Sequence, residues 1–362
     1  MKTEVIPPYI SSFELSLAWI LRSVAYNDGN GSSAYYHLWK GWAGPYAETT
    51  GYLISTLWQV DEIFPEKNLR PTILGLADWL LNIQRDDGSF PQGLELGERP
   101  EIFDSGQILF GLYSSWKKTQ DIKFKKSIQS LTTWMLAQQC ENGSFCKNTY
   151  VNDYSPSYHI RFVWALLLVR EIYEEQVEFN TKVQKAIQYY SGLITESGSF
   201  SNWGFHPGSN GLTHTIAYTL RGILECCILM NDKKSLNTIL KPINFIISEL
   251  KSKPFLAGSY DQHWVGDYSF RCLTGEAQMS IIFRRLARLI NKAEYHLYAD
   301  RLLEDIHSKQ IKIQWATNLN GGFFASSPFY GKYMRFMMNN WTAKFYLDAV
   351  MVKSNHHMVI LG

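Results

Sequence analysis

Pro45-Tyr46-Ala47-Glu48-Thr49-Thr50-Gly51-Tyr52 opens an apolar run, Leu53-Ile54-Ser55-Thr56-Leu57-Trp58, in which no charged residue marks a solvent face. A helix that is apolar on most sides is buried among other helices. Its first turn nevertheless carries a carboxylate, hydroxyls, a glycine and two tyrosines. Polar groups gathered at the open end of a buried helix predict a pocket there.

Five more units repeat this arrangement. A Gly-(Ser/Gly)-aromatic turn stands at Gly88-Ser89-Phe90, Gly143-Ser144-Phe145, Gly198-Ser199-Phe200, Gly258-Ser259-Tyr260 and Gly321-Gly322-Phe323, with a degenerate version at Gly31-Ser32. The spacings run from 55 to 63 residues, so six units fill the chain. In each unit a one-sided amphipathic helix precedes the turn: 13–26, 73–85, 124–138, 183–194, 236–250 and 295–312. A helix that is apolar nearly all round follows it: 52–58, 107–113, 158–169, 216–230, 278–289 and 343–352. One-sided helices alternating with all-sided ones predict two concentric rings. The expected fold is an all-α (α/α)6 toroid of six helical hairpins, with residues 1–362 as a single domain.

Composition narrows the function classes. Of 362 residues 46% are hydrophobic, and Lys+Arg 35 against Asp+Glu 33 leave a net charge of +2. Near-neutrality without a basic tract argues against a nucleic-acid partner. The apolar stretch 13–26 is broken by Glu14 and Arg22, and nothing else reaches the length of a transmembrane segment. Residues 1–8 carry acidic Glu4 and two prolines where a signal peptide needs a basic and then an apolar region. The five cysteines, an odd number without framework spacing, read as reduced thiols, and a cytoplasmic location is expected. No metal site is expected: Cys140 and Cys146 bracket a turn, Cys226-Cys227 lies inside a helix, and neither offers zinc geometry. No cofactor is called for, since the glycines are spent on turns rather than on a phosphate-cradling loop.

Gln84-x-x-x-Gly88-Ser89-Phe90 and Gln139-x-x-x-Gly143-Ser144-Phe145 resemble the Q-x-x-x-G-x-W repeat of terpene cyclases and prenyltransferase β-subunits. The resemblance implies the α,α-toroid architecture and not the chemistry. The zinc-binding Asp, Cys and His of the prenyltransferases and the D-x-D-D acid of the cyclases are missing. The PYAETTGY stretch, together with Phe103-Asp104-Ser105-Gly106-Gln107-Ile108-Leu109, is similar to toroid proteins encoded among bacterial surface-polysaccharide genes.

In such a toroid the inner-helix N-termini ring one mouth, and their free N–H groups favour anionic ligands. Stacking Gly51, Gly106, Ser157, Thr215, Gly275 and Thr342 at one level brings the polar residues of each first turn together. Glu48, Asp104 and Asp153 are the candidates for acid/base work, with His214 as a further base or donor. Each carboxylate alone reads equally as a helix cap or dipole partner. Tyr46, Tyr52, Gln107, Tyr158, Trp264, Glu276 and Asn339 are candidate substrate contacts. Arg161 and Arg271, inside apolar helices, either pair with a carboxylate such as Asp153 or Glu276 or clamp an anionic substrate. His206 and Trp42, Trp203 and Trp341 also fall in mouth loops or first turns, as sugar platforms or as ordinary wall. The function expected is a carbohydrate-active enzyme, of hydrolase, lyase or epimerase type, on an acidic sugar or glycan intermediate. The alternatives are an isoprenoid-handling toroid and a glycan-binding scaffold without chemistry. The partner is a small molecule or oligosaccharide, and an anionic one.

Overall fold

Helices with an apolar stripe and a charged back become the outer wall, and helices apolar all round become the inner one. The computed structural model describes residues 7–94, 96–173, 176–354 and 362. Among them twelve α-helices follow one another: α1 (Ile10–Ala25), α2 (Ala47–Ile63), α3 (Arg70–Ile83), α4 (Ile102–Thr119), α5 (Ile122–Ala137), α6 (Ile160–Leu168), α7 (Val177–Ser191), α8 (Thr213–Met230), α9 (Lys233–Ser252), α10 (Leu273–Leu289), α11 (Glu294–His307) and α12 (Asn340–Ser354). Odd-numbered helices are outer and even-numbered ones inner. Each inner helix touches the next, and α12 returns to pack on both α1 and α2. The ring is closed, so the fold is the (α/α)6 toroid expected.

The glutamine-glycine repeat explains the closure. Gln84 Nε2 donates to the Gly88 carbonyl at 2.9 Å and to the Ser127 carbonyl on α5 at 3.2 Å. Gln139 repeats the clip, to Gly143 at 3.2 Å and to Lys182 on α7 at 2.9 Å. Gln310 makes the last one, to Gly321 at 3.2 Å and to Ser12 on α1 at 2.7 Å. These three turns are thereby tied to the next outer helix, the last of them closing the ring onto α1. Glycine is required because Gly88 has φ +91° and a Cβ there would lie 2.4 Å from the Ser130 carbonyl oxygen. Gly258 departs from the pattern by leading into a short strand, Ser259–Tyr260.

The inner ring is equally tight. A Cβ on Gly51 would stand 2.4 Å from the Ile108 Cα, backbone against backbone between α2 and α4. Gly51→Ala is therefore expected to force the two helices apart at a cost of about 1–3 kcal/mol. A urea-denaturation midpoint unchanged by that substitution would contradict the packing.

Helices start earlier than the sequence expectation, except α6, which begins at Ile160 rather than at 158. α2 begins at Ala47 and not at Tyr52, because its polar first turn is helical although it does not look apolar. The mouth loops also pair as short strands, such as Tyr35–His37 with Met337–Asn339, which no periodicity announced. One expectation is corrected outright. Cys140 and Cys146 are joined by a disulfide across the Gly143 turn, where Gln139 and Phe145 also bridge. The remaining three cysteines are free and buried. Among the described residues no helix is long and apolar enough to cross a membrane.

Candidate active site

The inner-helix N-termini open onto a cavity of about 400 Å³. α2 and the residue before it supply Tyr46, Glu48 and Tyr52, and α8 supplies His214 and Tyr218. Glu48 and Tyr52, like His214 and Tyr218, are four residues apart, so each pair shares one helix face and points to one place. Phe103 on α4, Tyr158 in the turn before α6 and Trp341 on α12 extend the wall. Loops add Tyr150, Phe205, His206, Tyr333 and Met334. The wall is mainly aromatic, and it contains no lysine or arginine.

Behind Glu48 lies a carboxyl cluster. Asp104 is fully buried, with its carboxyl group close enough to that of Glu48 for the two to interact. Asp104 Oδ2 accepts from the Gly93 N–H at 2.8 Å and from the Tyr150 hydroxyl at 3.0 Å, and Oδ1 accepts from Tyr46 at 3.2 Å. Asp104 is not the cap of α4. That role belongs to Glu101, whose Oε2 accepts from the Asp104 N–H at 2.6 Å. Sequence reasoning missed Glu101 because glutamate is a rare cap, and only the fold shows its side chain reaching forward three residues.

Burial raises all three acids. Glu48 is held well above the usual carboxylate range, first by burial and then by the negative charge of Asp104. Glu101 is raised for the same two reasons. Asp104 is pushed up to about 6 by burial, with the Gly93 N–H and the two tyrosine hydroxyls opposing the shift. Burial and mutual repulsion therefore favour one proton held within this pair, with the stronger upward push on Glu48, the carboxyl group at the cavity surface, and Asp104 behind it. His214 is pulled down to about 3 by burial and then by the Arg161 charge, and is therefore neutral. Its Nδ1 lies 2.8 Å from Gln278 Nε2.

Of the predicted site residues, Tyr46, Glu48, Tyr52, Tyr158 and His214 line the cavity and Asp104 lies directly behind it. The others do not reach it. Asp153 is exposed in the loop before α6, at φ +58°; Pro156 and a short 3-10 turn set it apart from the helix start. Arg161 lies beneath the floor, with its guanidinium 4.2 Å from the Tyr218 ring centroid and Nε donating to Gln107 at 2.8 Å. Both Arg161 and Gln107 are thus committed to the interior. Arg271 forks onto Glu276, at 2.9 Å from Nε to Oε1, and reaches Asp305 on α11 at 3.2 Å. That pair ties the rings together and clamps no substrate from where it stands. Asn339 receives the Thr342 N–H at 3.2 Å and so caps α12. Trp264 stacks on Phe245 at 4.2 Å, away from the cavity. Tyr218 was missed, although it stands on the same helix face four residues after His214. Tyr150 and Tyr333 carried no signal, since tertiary contacts alone place their loops.

Solved structures similar to this chain have the same architecture. An unsaturated glucuronyl hydrolase specific for heparin matches with TM-score 0.74 at 15% identity, over 97% of this chain and 98% of its own. Cellobiose 2-epimerase from Bacillus thermoamylovorans B4167 matches with TM-score 0.73 at 12% identity, over 96% and 100%. An α-amylase from Clostridium perfringens matches with TM-score 0.68 at 13% identity, over 94% and 97%. At these identities the likeness establishes the fold. No protein-family model and no curated protein matches the sequence.

Proposed function

We propose that the protein is a carbohydrate-active enzyme, of hydrolase, lyase or epimerase type, that works on an acidic sugar or glycan. The observation that carries this reading is the buried pair in which Glu48, at the cavity surface, is backed by Asp104. Glu48 is the general acid: burial and the Asp104 charge favour its protonated form, which can deliver a proton to a sugar oxygen. Asp104 receives the hydrogen bond of the protonated acid and stabilises its return to that form. Tyr46 and Tyr150 hold Asp104 in place through their hydroxyls. Neutral His214 serves as a hydrogen-bond partner for the substrate, and the aromatic wall supplies flat faces for pyranose rings. The three similar solved structures named above are those of carbohydrate enzymes, which supports the same class here.

Of the groups first expected to favour an acidic ligand, the helix N-termini remain, because Arg161 and Arg271 are engaged elsewhere. Inner-helix N-termini converge on the mouth, and their partial positive charge favours an anionic substituent. A protonated Glu48 adds no repulsion. The surface-polysaccharide pathway is proposed from the PYAETTGY resemblance. The disulfide weighs against a cytoplasmic address, since such bridges persist mainly in oxidising compartments.

A mainly aromatic cavity also suits an isoprenoid chain, so the test covers both. Thermal melts with uronate-terminated oligosaccharides, neutral β-glucosides, nucleotide sugars and prenyl diphosphates, followed by product analysis, are expected to show stabilisation and turnover with a saccharide. Stabilisation by a prenyl diphosphate alone would overturn the proposal. Binding of a saccharide without any product would reduce it to a glycan-binding scaffold.

A further inference from the structure

One loop wall of the cavity has a second face. Between Ser326 and Met337 the chain makes a lobe closed on itself: Tyr333 N–H donates to Ser326 Oγ at 3.2 Å, and Ser326 Oγ donates to the Tyr333 carbonyl at 2.6 Å. Tyr333 and Met334 face the cavity. Two residues on, Phe336 turns to Trp39 of the first unit, their ring centroids 4.7 Å apart and nearly perpendicular at 72°. Phe329 meets Phe336 at 5.8 Å and Tyr330 at 5.5 Å, completing an aromatic lip. Met334 at φ +46° and Phe336 at φ +65° are both left-handed, a conformation that side chains rarely adopt and that here sends neighbouring residues to opposite faces.

The lip is exposed and held in place. Trp39 is 70% exposed, Tyr330 56% and Phe329 42%, far more than aromatic packing alone calls for. The backbone beneath is fixed: Leu38 N–H donates to the Phe336 carbonyl at 3.1 Å, Phe336 N–H to the Phe329 carbonyl at 2.9 Å, and Tyr35–His37 pairs with Met337–Asn339. Exposed Lys40 and Arg335 adjoin Trp39 and Phe336 in the chain, the positive charge that the cavity wall itself lacks.

We propose that this lip of Trp39, Phe329, Tyr330 and Phe336 is an outer glycan subsite, which stacks a sugar residue of a chain whose end occupies the cavity. The inference rests on the carbohydrate reading of the cavity and adds that the substrate is an oligosaccharide. A sugar ring offers an apolar C–H face to Trp39 or Tyr330, and Lys40 and Arg335 meet the acidic groups of the chain. Continuity decides the occupant, since one short lobe forms both the cavity wall and the lip.

The test measures binding of unsaturated heparin disaccharide and tetrasaccharide, and of cellobiose and cellotetraose, to the wild type and to Trp39→Ala and Tyr330→Ala. Both residues are exposed, and circular dichroism checks that the variants fold. Whichever series binds, the tetrasaccharide is expected to bind more tightly than the disaccharide. Each substitution is expected to weaken the tetrasaccharide by about 2- to 10-fold, the range of one aromatic stacking contact, and to leave the disaccharide unchanged. Equal effects at both lengths, or none at either, would overturn the subsite while the carbohydrate reading stands. No binding by either series would overturn both. Loss of binding to phosphatidylglycerol vesicles, or dissociation of a dimer, on Trp39→Ala with sugar binding intact would assign the lip to a membrane or a second copy instead.

Discussion

Glu48→Gln is expected to lower turnover by about 10²–10⁴-fold, the usual worth of a positioned proton donor, without lowering the melting temperature. The amide has the shape of the protonated acid and can donate permanently to Asp104, so the packing of α2 is kept and only proton transfer is lost. The acids also predict a pH profile. Asp104, raised to about 6 by burial, must be ionised while Glu48 remains protonated, so kcat/KM is expected to rise as pH passes through 6 and to fall again as Glu48 loses its proton. Stability moves the other way. The folded state keeps the Asp104 proton up to about 6, whereas the unfolded chain releases it near 3.8, so this contribution is full below 3.8 and lost as pH rises through 6. Asp104→Asn is therefore expected to flatten the melting temperature between pH 4 and 6. A sharp fall in melting temperature at pH 7 for Glu48→Gln would mean that the acid is structural, and the catalytic role would have to be abandoned.

The fold was legible because its signals are repeated and local. Gln84 and Gln139 each stand four residues before the glycine of the turn they clip, and the alternation of one-sided and all-sided helices needs no tertiary information to be seen. Gln310, eleven residues before Gly321, makes its clip outside that spacing and was not read. The site was legible only where its helices carry it. Stacking the first inner turns picked out Glu48, Tyr52 and His214, but the same alignment failed at Glu276. Glu276 follows Gly275 as Tyr52 follows Gly51, yet Arg271, paired as Arg271–Cys272 with Ser326–Ser327, draws its carboxylate toward α11. Rotation of a side chain toward the axis or between the rings is decided by such local partners, which spacing does not encode. Tyr150 illustrates the other limit. It reaches Asp104 because the loop after Cys146 is drawn over α4, where the Asn148 carbonyl accepts the Ile102 N–H at 2.8 Å. The disulfide at the base of that loop escaped detection because its two cysteines sit only six residues apart across a turn.

The largest effect on stability is expected deep in the inner ring, where Glu225→Ala should cost about 3–5 kcal/mol. Glu225 is 2% exposed and receives two guanidinium groups, Arg221 from its own helix at 2.6 Å and Arg285 from α10 at 2.8 Å. Burial alone would raise its pKa, but the two arginines outweigh that and hold it below the usual glutamate value. Its ionic contribution is therefore present above the unfolded pKa near 4.5 and lost as pH falls through the lower folded value. Removing the carboxylate leaves two cations in the interior without their shared counter-charge, so the melting temperature at pH 7 should fall steeply and the remaining acid limb should be shallower. The penalty comes from uncompensated charge and not from lost attraction alone. It follows that the triple replacement Arg221→Met, Glu225→Leu, Arg285→Met should recover most of what Glu225→Ala loses, because well-packed apolar residues can replace a buried ionic triad at little net cost. A triple variant as unstable as the single one would show that the triad also fixes the register of α8 against α10, and the purely electrostatic account would fail.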